Sequence, residues 1–303
     1  MAILPAYLKS GDTIGITCPA GALPLEKAQT CIETLQQWGY RVKTGNTLGS
    51  RYHYFSGTDE QRRADLQEML DDDQVRAILC GRGGYGLSRI IDRLDFSAFL
   101  KNPKWILGFS DITVLQAHLY SRFQIGSLHC SMAAAFQDGE YKNPFIQAIR
   151  SALAGASAGY SSGPHPLDRP GEATAELIGG NLSLMAHLLG SPSSINTDGK
   201  ILFLEDVGEY LYNIDRMMIQ LDRAGLLREL KGLIFGGFTD LKDTTTPFGQ
   251  EVADLLHDKI KDYGYPVCFD FPVSHEKENY ALKIGQIYQL SVTKEKTVLK
   301  EQA

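Results

Sequence analysis

Ser110 stands where a serine can become a nucleophile. The apolar run Lys104-Trp105-Ile106-Leu107 ends in Gly108-Phe109-Ser110-Asp111, and Ile112-Thr113-Val114-Leu115-Gln116-Ala117-His118-Leu119 follows. This pattern predicts a buried strand, a sharp turn carrying the serine, and then a helix. A serine hydroxyl attacks a carbonyl only when it is exposed, oriented and supplied with a base. A strand-to-helix turn provides the first two, and the amides at the helix start face the same way and can receive an oxyanion. The same Ser-Asp pair also opens helices as an N-cap, so Ser110 has a purely structural alternative.

An acid and a base stand where such a serine needs them. Glu205 directly follows Ile201-Leu202-Phe203-Leu204, and a carboxylate at a strand end is held rigidly enough to orient an imidazole. Asp206 and Glu209 are its competitors. Of seven histidines, His275 alone lies in a Pro-flanked loop at a strand end of the second half, Phe271-Pro272-Val273-Ser274-His275-Glu276. Such loops on rigid scaffolds concentrate catalytic groups. His118, His187 and His257 fall within helical patterns, His53 and His165 in polar loops, and His129 is the second candidate base. The order Ser110, Glu205, His275 is that of one hydrolase architecture. The G-x-S-x-G elbow of an ordinary α/β-hydrolase is absent, because Ile112 follows Asp111. Triads recur on unrelated folds, so this departure leaves the three residues in place.

The stretch Gly81-Arg82-Gly83-Gly84-Tyr85-Gly86 fits the dinucleotide fingerprint G-x-G-x-x-G. It follows the third predicted strand, not the first, and the next strand ends in Gly108 and the serine rather than in a ribose-binding acid. The alternative use is chemical. Adjacent glycines let backbone N–H groups approach a reacting carbonyl closely.

Strand and helix patterns alternate around these residues. Strands are predicted at 13–17, 41–44, 75–80 and 105–107, with helices at 25–38, 59–70 and 86–94. This rhythm argues for a parallel sheet covered by helices. Residues 154–164 are rich in Ala, Gly and Ser, and Pro164, Pro166 and Pro170 surround their end, which predicts a linker or long crossover. Beyond it strands are expected at 175–178, 200–204, 232–238 and 266–269, helices at 181–189, 214–221 and 252–260, and an edge or hairpin strand at 287–292. The expected fold is α/β, with a first domain over 1–155 carrying the nucleophile and a smaller mixed α/β domain over 171–303 carrying the acid and histidine. Ligand sites favour domain interfaces, so the three residues are expected to converge there.

The chain has 303 residues, 43% of them hydrophobic, so a sizeable core is available. Its formal net charge is −6 and no long basic run occurs, which argues against nucleic-acid binding. Neither a signal peptide nor a membrane span is expected. The five cysteines form no C-x-x-C pair, which fits reduced cytoplasmic thiols better than disulfides or zinc.

Six motifs occur in order: Gly11-Asp12-Thr13-Ile14-Gly15-Ile16, Arg82-Gly83-Gly84-Tyr85-Gly86, Gly108-Phe109-Ser110-Asp111-Ile112-Thr113, Gly179-Gly180-Asn181-Leu182, Leu202-Phe203-Leu204-Glu205-Asp206 and Pro272-Val273-Ser274-His275. Together they resemble the LD-carboxypeptidase family of serine peptidases. The resemblance implies a triad of Ser110, Glu205 and His275, and an oxyanion hole from the Gly84 and Asp111 amides. It also implies a flavodoxin-like N-terminal domain, a smaller C-terminal domain, a homodimer, and neither metal nor cofactor. The implied substrate is a cytoplasmic muropeptide whose terminal D-alanine is joined to the L-centre of meso-diaminopimelate or lysine. Arg82 and Arg216 are the basic residues nearest the motifs and candidates for the terminal carboxylate. The chain departs from the family around the histidine, with Ser274 and Glu276 in place of glycines and Ala281 and Lys283 in place of Leu and Pro. One alternative stays within the family, an immunity-type peptidase that cleaves a peptide-nucleotide antibiotic. The other is a Rossmann-like nucleotide-binding protein using residues 81–86.

Overall fold

The computed structural model describes residues 1–136 and 142–302. It divides into two compact units, Ala2–Ala156 with Tyr280–Lys283, and Ser157–Asn279 with Ile284–Ala303 and Met1.

In the first unit the apolar runs become strands because their alternate residues fill one core. Ile14, Ile16, Ala77, Leu79, Trp105, Leu107 and Leu128 point to the same side, where helix residues Ala28, Cys31, Leu35, Ile146 and Ile149 meet them. The elements run β1 (Thr13–Thr17), α1 (Leu25–Gln37), β2 (Arg41–Thr44), α2 (Asp59–Asp71), β3 (Val75–Cys80), α3 (Ser97–Lys101), β4 (Trp105–Gly108), α4 (Thr113–Phe123), β5 (Ser127–His129) and α5 (Pro144–Leu153). Strands β1 to β5 pair in parallel in the order 2-1-3-4-5. This is the flavodoxin-like order, whose ligands bind beyond the carboxyl ends of the strands where the order reverses, at β1 and β3. Strand β11 (Leu282–Ile284) lies beside β5.

The second unit holds a mixed seven-stranded sheet. Its elements are β6 (Gly159–Ser162), β7 (Gly171–Asn181), α6 (Leu182–His187), β8 (Ile201–Val207), α7 (Leu211–Arg223), β9 (Gly232–Thr239), α8 (Val252–Ile260), β10 (Val267–Cys268), β12 (Ile287–Val292) and β13 (Thr297–Glu301). The order is 10-9-8-7-12-13-6, parallel from β7 to β10 and antiparallel from β7 through β12 and β13 to β6.

Three local expectations need correction. Residues 86–94 form two 3-10 turns, Leu87–Arg89 and Ile91–Arg93, not a helix. Part of the expected linker is strand β6, which forms because β13 pairs with it. The strand expected at 175–178 extends over Gly171–Asn181, because β12 pairs with its first half. Strand β12 does form a hairpin with β13, but it lies between β7 and β13 rather than at an edge. Among the described residues no helix is long and apolar enough to cross a membrane.

Candidate active site

Strand β4 is buried throughout and turns sharply at its end. Ser110 has φ +62°, a left-handed conformation that only five described residues other than glycine adopt. A non-glycine residue held there costs about 1–3 kcal/mol and persists only when its surroundings impose it. Here Gln116 Nε2 donates to Gly108 O at 2.9 Å and to Leu128 O at 3.0 Å, clamping β4 to β5 below the turn. The Ile112 N–H donates to Phe109 O at 3.2 Å. Ser110 is not an N-cap. It begins a 3-10 turn, Ser110–Ile112, whose cap position is Phe109, and no side chain caps that turn.

The glycine loop is held against this elbow from several sides. A Cβ on Gly83 would lie 2.9 Å from Ser110 Cβ and 3.0 Å from its Oγ, so only glycine lets the loop approach the serine this closely. Gly83 O accepts from the Gly21 N–H at 3.0 Å. In a trans peptide the Gly84 N–H then points the opposite way, and among the described residues no hydrogen bond engages it. Gly84 itself has φ +109°. Asp111 contributes its side chain as well as its backbone: the buried carboxylate accepts from the Leu87 N–H at 2.9 Å.

Arg62 braces the far end of the loop, a role that sequence reasoning missed. It is fully buried, and its Nη1 donates to Pro19 O at 2.6 Å and to Gly86 O at 3.0 Å. Its Nη2 pairs with Asp59 at 2.5 Å, and the guanidinium lies 4.8 Å from the Phe55 ring centroid. The only signal in the sequence was an arginine on the buried side of α2.

This arrangement also bears on the dinucleotide reading. No α-helix opens after Gly86, and the first amide of the turn there is already taken by Asp111. A pyrophosphate therefore lacks the helix N-terminus it needs. Gly84→Val is expected to lower kcat about 100-fold, the scale of one lost oxyanion donor, since a β-branched residue does not hold φ +109°. Calorimetry with NAD and NADP should register no binding to the unsubstituted protein. Tight nicotinamide binding together with unchanged turnover in the variant would return the loop to nucleotide chemistry.

In the second unit Glu205 sits near the end of β8, fully buried, with Oε2 at 2.6 Å from His275 Nδ1. Burial pushes the Glu205 carboxyl above its usual range, and the hydrogen bond with His275 opposes that shift. Asp206, its competitor, is consumed by structure. It accepts from Asn181 Nδ2 at 2.8 Å, Ser183 Oγ at 2.6 Å and the Ser183 N–H at 2.9 Å, fastening the start of α6. Glu209 accepts from Asn213 Nδ2 at 3.0 Å and from Ser183 Oγ at 3.3 Å.

The histidine loop rests on glycines that the sequence reading did not single out. A Cβ on Gly236 would overlap Val273 O, and one on Gly237 would lie 2.5 Å from Ser274 Cβ. The Gly237 N–H donates to Val273 O at 3.0 Å. Ser274, one of the departures noted above, is buried and stiffens the turn. Its hydroxyl donates to Glu278 O at 3.1 Å and accepts from the Glu276 N–H at 3.0 Å.

The other candidates are placed elsewhere. His129 lies at the end of β5 with its ring 5.7 Å from that of Phe109. Arg82 is exposed on the glycine loop. Arg216 is exposed on α7, donates to Asn213 Oδ1 at 3.1 Å and stands over the Tyr212 ring at 5.2 Å. All five cysteines are buried free thiols. Burial pushes Cys18 up to about 12 and raises Cys31, Cys80, Cys130 and Cys268 too, so none offers a thiolate near neutral pH. The structure thus brings together Glu205 and His275 in one unit, and Ser110, Asp111 and the glycine loop in the other.

Comparison with known proteins identifies relatives of this chain. A family model described as LD-carboxypeptidase N-terminal domain matches residues 14–130, and one described as LD-carboxypeptidase C-terminal domain matches residues 174–290. The probable murein peptide carboxypeptidase of Bacillus subtilis (strain 168) is 35% identical over 300 residues, covering 98% of this chain and 94% of that protein. The murein tetrapeptide carboxypeptidase of Pseudomonas aeruginosa is 30% identical over 286 residues, covering 90% and 91%. The crystal structure of muramoyltetrapeptide carboxypeptidase from Oxalobacter formigenes matches with a TM-score of 0.87 at 27% identity, over 96% of this chain and 99% of that one. The class defined by fold and family is that of the serine peptidases. The chain belongs to the LD-carboxypeptidase family, and it is a serine carboxypeptidase.

Proposed function

We propose that the enzyme removes the terminal D-alanine from muropeptides by cleaving its amide bond to an L-centre, in recycling of the cell wall. The observation that carries this reading is the buried Glu205 carboxylate held 2.6 Å from His275 Nδ1. With Nδ1 turned to the carboxylate, Nε2 is the ring nitrogen that takes the Ser110 proton. Ser110 Oγ attacks the scissile carbonyl, and the Gly84 and Asp111 amides receive the oxyanion. The imidazolium, stabilised by Glu205, protonates the departing nitrogen, and D-alanine leaves. His275 then takes a proton from water, the resulting nucleophile opens the acyl-enzyme, and the proton returns to Ser110. The murein and muramoyltetrapeptide carboxypeptidases among the relatives support the choice of substrate.

The proposal sets the enzyme in the cytoplasm, in keeping with five free buried thiols. From the family resemblance it takes the expectation of a homodimer. Incubation with L-Ala-γ-D-Glu-meso-diaminopimelate-D-Ala should shorten the peptide by one alanine in the mass spectrum, while the peptide ending in L-alanine stays intact. A tetrapeptide left whole by active protein would refute the substrate.

A further inference from the structure

We propose that Arg51 and Arg82 grip the terminal carboxylate of the substrate in a cavity at the carboxyl ends of β1 and β3. The inference rests on the carboxypeptidase reading above and deepens it. It supplies the contact that confines the enzyme to chain ends.

The cavity has a volume of about 600 Å³, and its wall includes Gly21, Lys27, Arg51, Arg82 and Gly84. Its charge runs against the rest of the molecule. The chain carries a formal net charge of −6, yet this cavity gathers three cations against the single carboxylate of Glu26. Among the described residues no ion pair engages Lys27, Arg51 or Arg82. Four other arginines of the same unit are paired, Arg62 and Arg89 with Asp59 and Arg63 and Arg93 with Glu60. Cations gathered without ion-pair partners in a concave site are suited to an anionic ligand that arrives from outside.

Reach decides which anion. In a peptide the carboxylate of the last residue is separated from the scissile carbonyl only by that residue's own N and Cα, roughly one Cα–Cα step of about 3.8 Å. A scissile carbonyl on the Gly84 N–H therefore puts the terminal carboxylate within a side chain's length of Gly84, and Gly84 lines this cavity. Arg82 is two residues from Gly84 along the same loop. Arg51 Nε donates to His53 O at 3.2 Å, which ties down a loop whose His53 is itself left-handed at φ +55°. The two terminal nitrogens of that fork match the two oxygens of a carboxylate. Arg216, the other candidate, has its guanidinium against the Tyr212 ring and Asn213.

The test separates this subsite from the reaction. In a Ser110→Ala background, calorimetry compares the tetrapeptide bearing a terminal carboxylate with the same peptide ending in D-alaninamide. The free acid should bind at least about tenfold more tightly, as expected for charge-assisted hydrogen bonds. Arg51→Gln with Arg82→Gln should bring the acid down to the level of the amide and leave the amide unchanged. Equal binding of acid and amide, or equal loss of both in the variant, would overturn the carboxylate seat. Release of alanine by the unsubstituted enzyme is followed separately. Carboxylate-dependent binding without cleavage would overturn the reaction and keep the seat, and cleavage with no preference for the acid would do the reverse.

Discussion

Ser110→Ala should lower kcat by about a million-fold, the scale seen when the nucleophile of a serine peptidase is removed, and leave the melting temperature almost unchanged. Ser110 is half-buried, and the turn beneath it is held by Gln116 and by backbone bonds that do not involve the serine side chain. A companion variant separates chemistry from strain. Ser110→Gly should be equally inactive, yet it should melt at or above the temperature of Ser110→Ala, because glycine takes φ +62° without steric cost. Kinetics on the tetrapeptide and thermal melts of both variants read the two effects. Turnover within tenfold of the unsubstituted enzyme in either variant would remove Ser110 from the mechanism.

Glu205→Gln should cost about four orders of magnitude in kcat, because an amide no longer fixes the imidazole tautomer or stabilises the imidazolium. The same change should make the protein more stable at neutral pH. The Glu205 carboxyl titrates above its usual value of 4.5 in the folded chain, with burial as the largest cause. The neutral carboxyl is therefore the form that folding favours. Its contribution to stability is complete below about pH 4.5 and is lost as pH rises through the folded value. Glutamine stays neutral throughout, so the melting temperature of the variant minus that of the unsubstituted protein should grow from pH 4 to pH 7.5. A difference that shrinks over that interval would mean that the His275 hydrogen bond outweighs the desolvation of the carboxylate. Loss of activity with a gain in stability would mark Glu205 as a residue kept for chemistry at the expense of the fold.

Much of this architecture follows from short-range rules. Leu107, Gly108 and Ser110 announce a strand that stops abruptly, because an apolar run meeting glycine has few other ways to continue. Helix α1 is visible from Ala28, Cys31 and Leu35, which share one buried face at helical spacing. Ser110 and Glu205 are identifiable by residue type and by their places at or near strand ends. His275 is marked only by its Pro-flanked loop, and it lies seven residues beyond the end of β10 rather than at a strand end. Each of these inferences uses forces that act within a few residues of chain.

The tertiary structure decided what local pattern could not. Glu205 and Asp206 are adjacent acids at the end of one strand, and only packing distinguishes them. Side-chain alternation turns one toward His275, 70 residues away, and the other toward Asn181 and Ser183. Gly83 was one glycine among several until the fold set its Cα against the side chain of Ser110. Arg62 became the brace of the glycine loop through carbonyls 43 and 24 residues distant. Strand β6 exists because β13 offers it a ladder of hydrogen bonds, which outweighs a composition suited to a linker. The sequence by itself determined which residues carry reactive groups and which segments are extended or helical, because those properties are covalent or nearest-neighbour. Which of those groups meet, and which backbone amides are left for an oxyanion, depends on contacts between distant parts of the chain, and packing alone creates those contacts.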